Sequence, residues 1–152
     1  MGAIVQKFKI GDIEKQLNTT GDRIRKAAIN TMCYVGEQCI KEARDNGDYN
    51  DITGNLRSSI GYCVLQNGKV IKQSSGKHFS GPEGNGSEGI KEGQAFLQRL
   101  QGDYPKGIVL ILAAGMNYAV YVEDIHGRNV LTSAELLAKE LVPMLLHKIG
   151  LK

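Results

Sequence analysis

Three observations predict an α+β domain in which a small antiparallel sheet packs against a long N-terminal helix and a C-terminal helix. Apolar residues recur at steps of three and four from Ile24 to Ala43, Asn67-Gly68 separates two short β-prone runs, and residues 107–114 are almost continuously apolar. The length agrees, because 152 residues can build one hydrophobic core and are too few for a multidomain enzyme. The chain 1–152 is therefore read as a single domain.

The first helix follows from Ile24, Ala28, Met32, Val35, Cys39 and Ala43, which form one stripe while Arg25, Lys26, Glu37, Lys41 and Arg44 fall largely outside it. Asn18, Thr19, Thr20 and Asp22 are candidate N-caps, and Asn46-Gly47 offers a left-handed residue to end the helix. After a turn-rich stretch, residues 60–66 and 69–73 flank Asn-Gly, the strongest short-range hairpin signal. Residues 74–89 hold six Gly or Pro in sixteen positions, with Phe79 the sole large apolar residue, and are expected to form a mobile loop inserted in the domain. A short helix over 90–101 would pack through Ile90, Phe96, Leu97 and Leu100. Residues 107–114 suit a central strand covered on both faces.

The region from Tyr118 to Val122 fits a strand or a single helical turn; as a strand it would put Tyr121 and Glu123 on one face and Tyr118 on the other. His126-Gly127-Arg128-Asn129 reads as a tight turn leading to a last hairpin at Val130 and Leu131. Thr132 and Glu135 match a capping box opening the final helix, whose Leu137, Leu141, Met144, Leu145 and Ile149 would face the core and which Pro143 should kink.

Composition removes several function classes. Hydrophobic residues make up 41% and charged residues 23%, as in ordinary globular proteins, which disfavours disorder and a coiled-coil rod. The 19 glycines have no period of three, so collagen is excluded. A net charge of +3, without any block of five like charges, does not suggest a dedicated DNA-binding surface. The longest uncharged apolar run is far short of the ~20 residues that span a bilayer, so no membrane association is expected. Residues 1–10 lack the apolar core of a secretory signal, which points to synthesis in the cytoplasm. Cys33, Cys39 and Cys63 are odd in number and without C-x-x-C spacing, and are read as free thiols.

Few motifs in the chain carry chemistry. Gly81 and Gly86 have the spacing of a phosphate-binding loop, but Ser87-Glu88 stand where Lys and Ser or Thr are needed. Glu123-Asp124-x-His126 is the best metal candidate, although a solvated polar turn accounts for it better. There is no G-x-S-x-G elbow. No catalytic, cofactor-binding or metal-ligating residue is assigned. The connector at residues 51–60 is more informative: Gly54 permits a turn, Asp51 and Thr53 can cap it, Leu56 and Ile60 can anchor it, and Arg57 is left to find a carboxylate.

This segment, Thr53-Gly54-Asn55-Leu56-Arg57-Ser58-Ser59-Ile60, resembles the T-G-N-L-R-x-S-I motif of the tailed-bacteriophage head-tail joining, or tail completion, family of minor tail and neck components. Asn117-Tyr118-Ala119-Val120-Tyr121-Val122-Glu123 is similar to that family's Y-A-x-Y-V-E segment, about sixty residues downstream. Where relatives continue with a Gly-Thr turn, this chain has Asp124-Ile125-His126-Gly127-Arg128. The resemblance implies a structural, non-enzymatic virion protein without cofactors. It would form a homo-oligomeric ring of six copies in the neck, between portal or adaptor proteins on the head side and tail tube or tail terminator proteins on the tail side. Contact with DNA would be transient and non-specific. Thr53, Gly54, Asn55, Leu56, Arg57, Tyr118, Tyr121 and Glu123 become the fold-motif or interface candidates. The alternative is a nucleic-acid-binding protein of a mobile element, using Arg23, Arg25 and Lys26 with Lys69, Lys72 and Lys77. A small enzyme using acids around Glu123 is a third reading.

Overall fold

The structure is a computed structural model and describes residues 4–9, 22–116, 119, 122, 123 and 127–150. In chain order the elements are β1 (Ile4–Lys9), α1 (Asp22–Asp45), α2 (Asn55–Ser58), β2 (Ile60–Gln66), β3 (Lys69–Gln73), α3 (Ser87–Leu100) followed by a 3-10 turn (Gln101–Asp103), β4 (Ile108–Ala114) and α4 (Thr132–Lys148). The strands form one antiparallel sheet in the order β1-β4-β2-β3. The α+β domain expected from the sequence is the one observed.

Strand β4 is central and all seven of its residues are buried, as its unbroken apolar run requires. Alternation along the strands divides the core in two. Ile60, Tyr62 and Val64 of β2 join Ile108, Leu110, Leu112 and Ala114 of β4 beneath α1 and α4. Cys63, Leu65, Val109, Ile111 and Ala113 face the other way, against Phe96 and Leu97 of α3. The predicted stripe of α1 lands as expected: Ala28, Met32, Val35, Cys39 and Ala43 are fully buried, and Ile24 packs at the margin. Each large apolar side chain so removed from water contributes roughly 1.5–3 kcal/mol.

The hairpin is a type I′ turn, with Asn67 at φ 52° and Gly68 at φ 82°. Asn67 is tied to the start of β4, its N–H donating to the Gly107 carbonyl at 2.9 Å and its Oδ1 accepting from the Gly107 N–H at 3.0 Å. One core contact depends on a missing side chain. Gly36 of α1 leaves a notch for the Tyr62 ring, where a Cβ would lie 2.4 Å from Cδ2. The Tyr62 hydroxyl donates to Glu37 Oε1 at 3.0 Å, and burial followed by this bond to Glu37 raises its pKa.

Several expectations need correction. Gly47 does not adopt the left-handed cap conformation, and instead lies under the Tyr49 ring, where a Cβ would fall 2.5 Å from Cε1. The end of α1 is held by Asn46, whose N–H donates to the Glu42 carbonyl and whose amide donates to the Glu42 carboxylate at 2.7 Å. Helix α3 begins at Ser87, shortening the expected loop to residues 74–86. No strand forms at residues 127–131, so the last hairpin is absent; Ala119, Val122 and Glu123 are helical, in line with the helical alternative for that region rather than the strand. Asn18, Thr19 and Thr20 lie outside the described residues.

The face presented by α4 is largely the expected one. Leu137, Leu141, Leu145 and Ile149 are partly buried and pack against the core beside the buried Ala134, Ala138 and Leu146, while Met144, also expected to face inward, is exposed. Pro143 is accommodated within the helix.

The three thiols are free: Cys39 and Cys63 are buried and Cys33 half-buried. Burial pushes the Cys39 thiol up to about 12 and the Cys63 thiol up to about 11, from an ordinary 9.0. Above pH 9 an unfolded chain loses these protons while the folded chain retains them. Their contribution to stability is therefore full below pH 9 and declines as pH rises through 11 to 12. Urea denaturation of the wild type and of Cys63→Ala across pH 8–11 should show a shallower alkaline decline in the variant; identical slopes would refute this.

A candidate functional site at the connector

The connector that carries the T-G-N-L-R motif is a short turn wound tightly around its own backbone. Asp51 accepts two amides at the start of α2, from Leu56 at 3.2 Å and Arg57 at 2.8 Å. Gly54 stands at the head of α2 with φ 78° and ψ 0°, a left-handed conformation that side chains disfavour. Thr53 Oγ1 accepts from the Asn55 N–H, Leu56 is buried, and the Ser59 hydroxyl donates to the Leu56 carbonyl at 2.7 Å. The capping roles expected of Asp51 and Thr53, and the anchoring role of Leu56, are thus the ones observed.

The glycine-rich segment, expected to be mobile, is laced to this connector. Glu83 and Gly86 donate their N–H groups to the carbonyls of Ile52 at 2.8 Å and Thr53 at 3.0 Å. Ser58 Oγ accepts from the Phe79 N–H at 2.9 Å, and Asn55 Oδ1 accepts from the Gly89 N–H at 3.1 Å. Its glycines serve close approach: a Cβ on Gly81 would lie 2.2 Å from the Ile52 carbonyl oxygen. Residues 74–86 therefore form a clasp on the motif within one chain, and ordering them needs no partner.

The same lacing accounts for the G-x-x-x-x-G spacing. Gly86 leads into α3, but the helix-start amides are already engaged, with Ser87 donating to Asn85 Oδ1 and Gly89 to Asn55 Oδ1. They cradle side-chain oxygens where a phosphate-binding loop would present free donors.

Phe79 carries the electrostatic feature of the site. Its ring lies 5.6 Å from the Arg44 guanidinium, 5.9 Å from that of Arg57 and 5.2 Å from the Lys77 ammonium. Arg57 also stacks on Tyr49 at 5.6 Å. The sequence suggests a carboxylate partner for Arg57; the structure supplies two aromatic faces, which attract cations through their negative π clouds. Arg44 is buried, donates from Nη2 to the Ile60 carbonyl at 2.8 Å, and has its pKa lowered chiefly by burial. Among the described residues no carboxylate lies within ion-pair distance of Arg44, Arg57 or Lys77. Neither Arg44 nor Phe79 was identifiable as a site residue from the sequence. The only available signal was a single aromatic residue amid fifteen small or polar ones.

The second motif resolves in part. Tyr118 and Tyr121 lie outside the described residues, as do Asp124 and His126 of the candidate metal cluster. Glu123 is placed, and it caps α4. Its Oε1 accepts from the N–H groups of Leu131 at 2.9 Å and Thr132 at 2.8 Å, and from the Thr132 hydroxyl at 2.6 Å. Asn129 completes the cap by accepting from the Ser133 N–H at 3.1 Å. The expected capping box of Thr132 and Glu135 is replaced by a carboxylate nine residues upstream, set where the positive end of the helix dipole favours it. Glu123→Ala should cost about 2 kcal/mol by stranding these donors. A change in urea midpoint equivalent to less than about 0.5 kcal/mol would contradict the assignment.

The concavities offer little chemistry. A pocket of about 10 Å³ among Arg44, Ser58, Ser74 and Gln94 has room for one water. A cleft of about 420 Å³ between His78, Lys91 and Gln94 is wide open to solvent. Among the described residues no three His, Cys, Asp or Glu side chains converge as a metal site would require. Comparison of the chain with protein-family models, curated proteins and solved structures finds no match in any of the three.

Proposed function

We propose that this chain is a structural virion protein of a tailed phage or prophage, forming a ring in the neck that joins or completes the head-tail interface. The observation that carries the reading is how the motif behind the resemblance is used. Asp51, Thr53, Gly54, Asn55, Leu56 and Ser58 all act in intramolecular geometry, and the clasp around them presents no nucleophile aligned with a base. Such a segment suits a rigid frame that holds surfaces at fixed angles. Leu136 at 63% exposure and Tyr34 at 52% add apolar surface on two different helices, as a subunit of a larger assembly would carry.

Two experiments test this reading. Purified protein imaged by negative stain should show closed rings with a central channel, and a phage lacking the gene should accumulate filled heads and tails that fail to join. Normal virions from the deletion would overturn the proposal. A protein that stays monomeric and binds duplex DNA with steep salt dependence would favour the nucleic-acid alternative.

A further inference from the structure

Arg44 departs from the rule that a buried charge is paired. It is 9% exposed, yet among the described residues no carboxylate lies within ion-pair distance, and Glu37 and Asp45 act on it only from farther away. One N–H of Nη2 reaches the Ile60 carbonyl at 2.8 Å, the buried Nε has no acceptor, and no other acceptor meets the guanidinium among the described residues. Arg44 lines the pocket of about 10 Å³ with Ser58, Ser74, Gly76 and Gln94, where α1, the connector, the clasp and α3 come together. Ser74, 7% exposed, is a second buried donor there. Its Oγ accepts from the Tyr62 N–H at 2.9 Å, and its own O–H has no acceptor among the described residues. No Asp or Glu lines the pocket, and the charge around it is positive, because Arg57 and Lys77 share the Phe79 ring with Arg44.

We propose that this pocket binds a monatomic anion, chloride in ordinary salt, as the counterion of Arg44. Size sets the class of ligand. The space is that of a single water, which a halide exceeds only slightly and which a phosphate or carboxylate with its several oxygens does not fit. Charge decides between the halide and water. A water would leave the guanidinium an uncompensated buried cation, whereas a halide accepts from Arg44, from the Ser74 hydroxyl and from the Gln94 amide and neutralises the charge as well. One ion would thus hold α1, the clasp and α3 together at a point. The site lies within one subunit and does not depend on the ring reading.

Chlorine magnetic resonance tests it, because the quadrupolar line of chloride broadens when the ion exchanges with a protein site. The folded wild type should broaden the line and bromide should reverse the effect by competition. The urea midpoint should rise with sodium chloride to a plateau, as one saturable site requires, and should not do so with sodium gluconate at equal ionic strength, whose anion is too large to enter. Gln94→Glu places a carboxylate beside Arg44 in the ion's stead, and should abolish both the broadening and the chloride dependence of the midpoint. Gln98→Glu makes the same charge change on α3 at a residue that lines only the open outer cleft, and should leave both intact. A wild type that does not broaden the line would mean that the pocket takes water alone. Broadening that survives Gln94→Glu, or that both variants reduce equally, would mean diffuse attraction to a basic protein. Each of these results overturns the site and leaves the proposed role in the virion untouched.

Discussion

Gly54→Ala should lower stability by about 4 kcal/mol, near the upper end for a point substitution. Two independent penalties combine. The residue holds φ 78°, where a Cβ carries a conformational cost of order 1 kcal/mol or more. That Cβ would also sit 1.7 Å from the Phe79 carbonyl oxygen, a backbone atom that no rotamer change can displace. Relief requires the clasp to lift away, which breaks the bond from the Phe79 N–H to Ser58 and takes Phe79 from beneath Arg44 and Arg57. Arg44 would then be a buried cation without its aromatic partner. The control is Gly102→Ala, where a Cβ meets nothing within 4 Å and the effect should be within about 0.5 kcal/mol. Urea midpoints compare the two directly. Equal midpoints would show that the clasp is not fixed to the connector.

The clasp also changes what rigidity means for the proposed role. A free loop over residues 74–89 would carry roughly 1–2 kcal/mol of backbone entropy per residue into any assembly step. Laced onto the motif by amides from Phe79, Glu83, Gly86 and Gly89, it meets that cost on folding. Subunits that arrive ordered would lose less on association.

What was legible in the sequence depended on whether a signal was local. The stripe of α1, the Asn67-Gly68 turn and the buried run of β4 each state their structure within a few residues, and each formed as expected. Glycines in the 74–89 segment were ambiguous, because a residue without a Cβ serves freedom and close packing equally well. Only the backbone of residues 51–55, far away in sequence, decides between them. The cap of α4 failed for a similar reason. Thr132 and Glu135 satisfied the local pattern, but a carboxylate from residue 123 reached the amides first. The face of α4 was legible apart from Met144, since Leu137, Leu141, Leu145 and Ile149 pack against the core as their spacing predicts. Of the candidate site residues, Thr53 to Arg57 are brought together with Arg44 and Phe79, while Glu123 serves elsewhere as a helix cap.

Gly36 and Tyr62 should show a reversal of sign in a double-mutant cycle. Tyr62→Ala removes a fully buried ring seated in a notch of α1 and should cost about 4 kcal/mol, with part of the loss from leaving the Glu37 carboxylate without its donor. Tyr62→Phe isolates that part and should cost about 1 kcal/mol. In the wild type, Gly36→Ala places a methyl 2.4 Å from the ring and should destabilise by about 2 kcal/mol, because the ring sits at the interface of α1 and β2 and cannot retreat without moving one of them. In the Tyr62→Ala background the same methyl has space, and alanine exceeds glycine in helix propensity by roughly 1 kcal/mol. Gly36→Ala should then stabilise the protein. The coupling between the two sites is about 3 kcal/mol, at the upper end of the range for residues in contact. Independent, additive effects in thermal or urea unfolding would mean that the notch does not seat the ring, and that α1 and the sheet approach each other by some other packing.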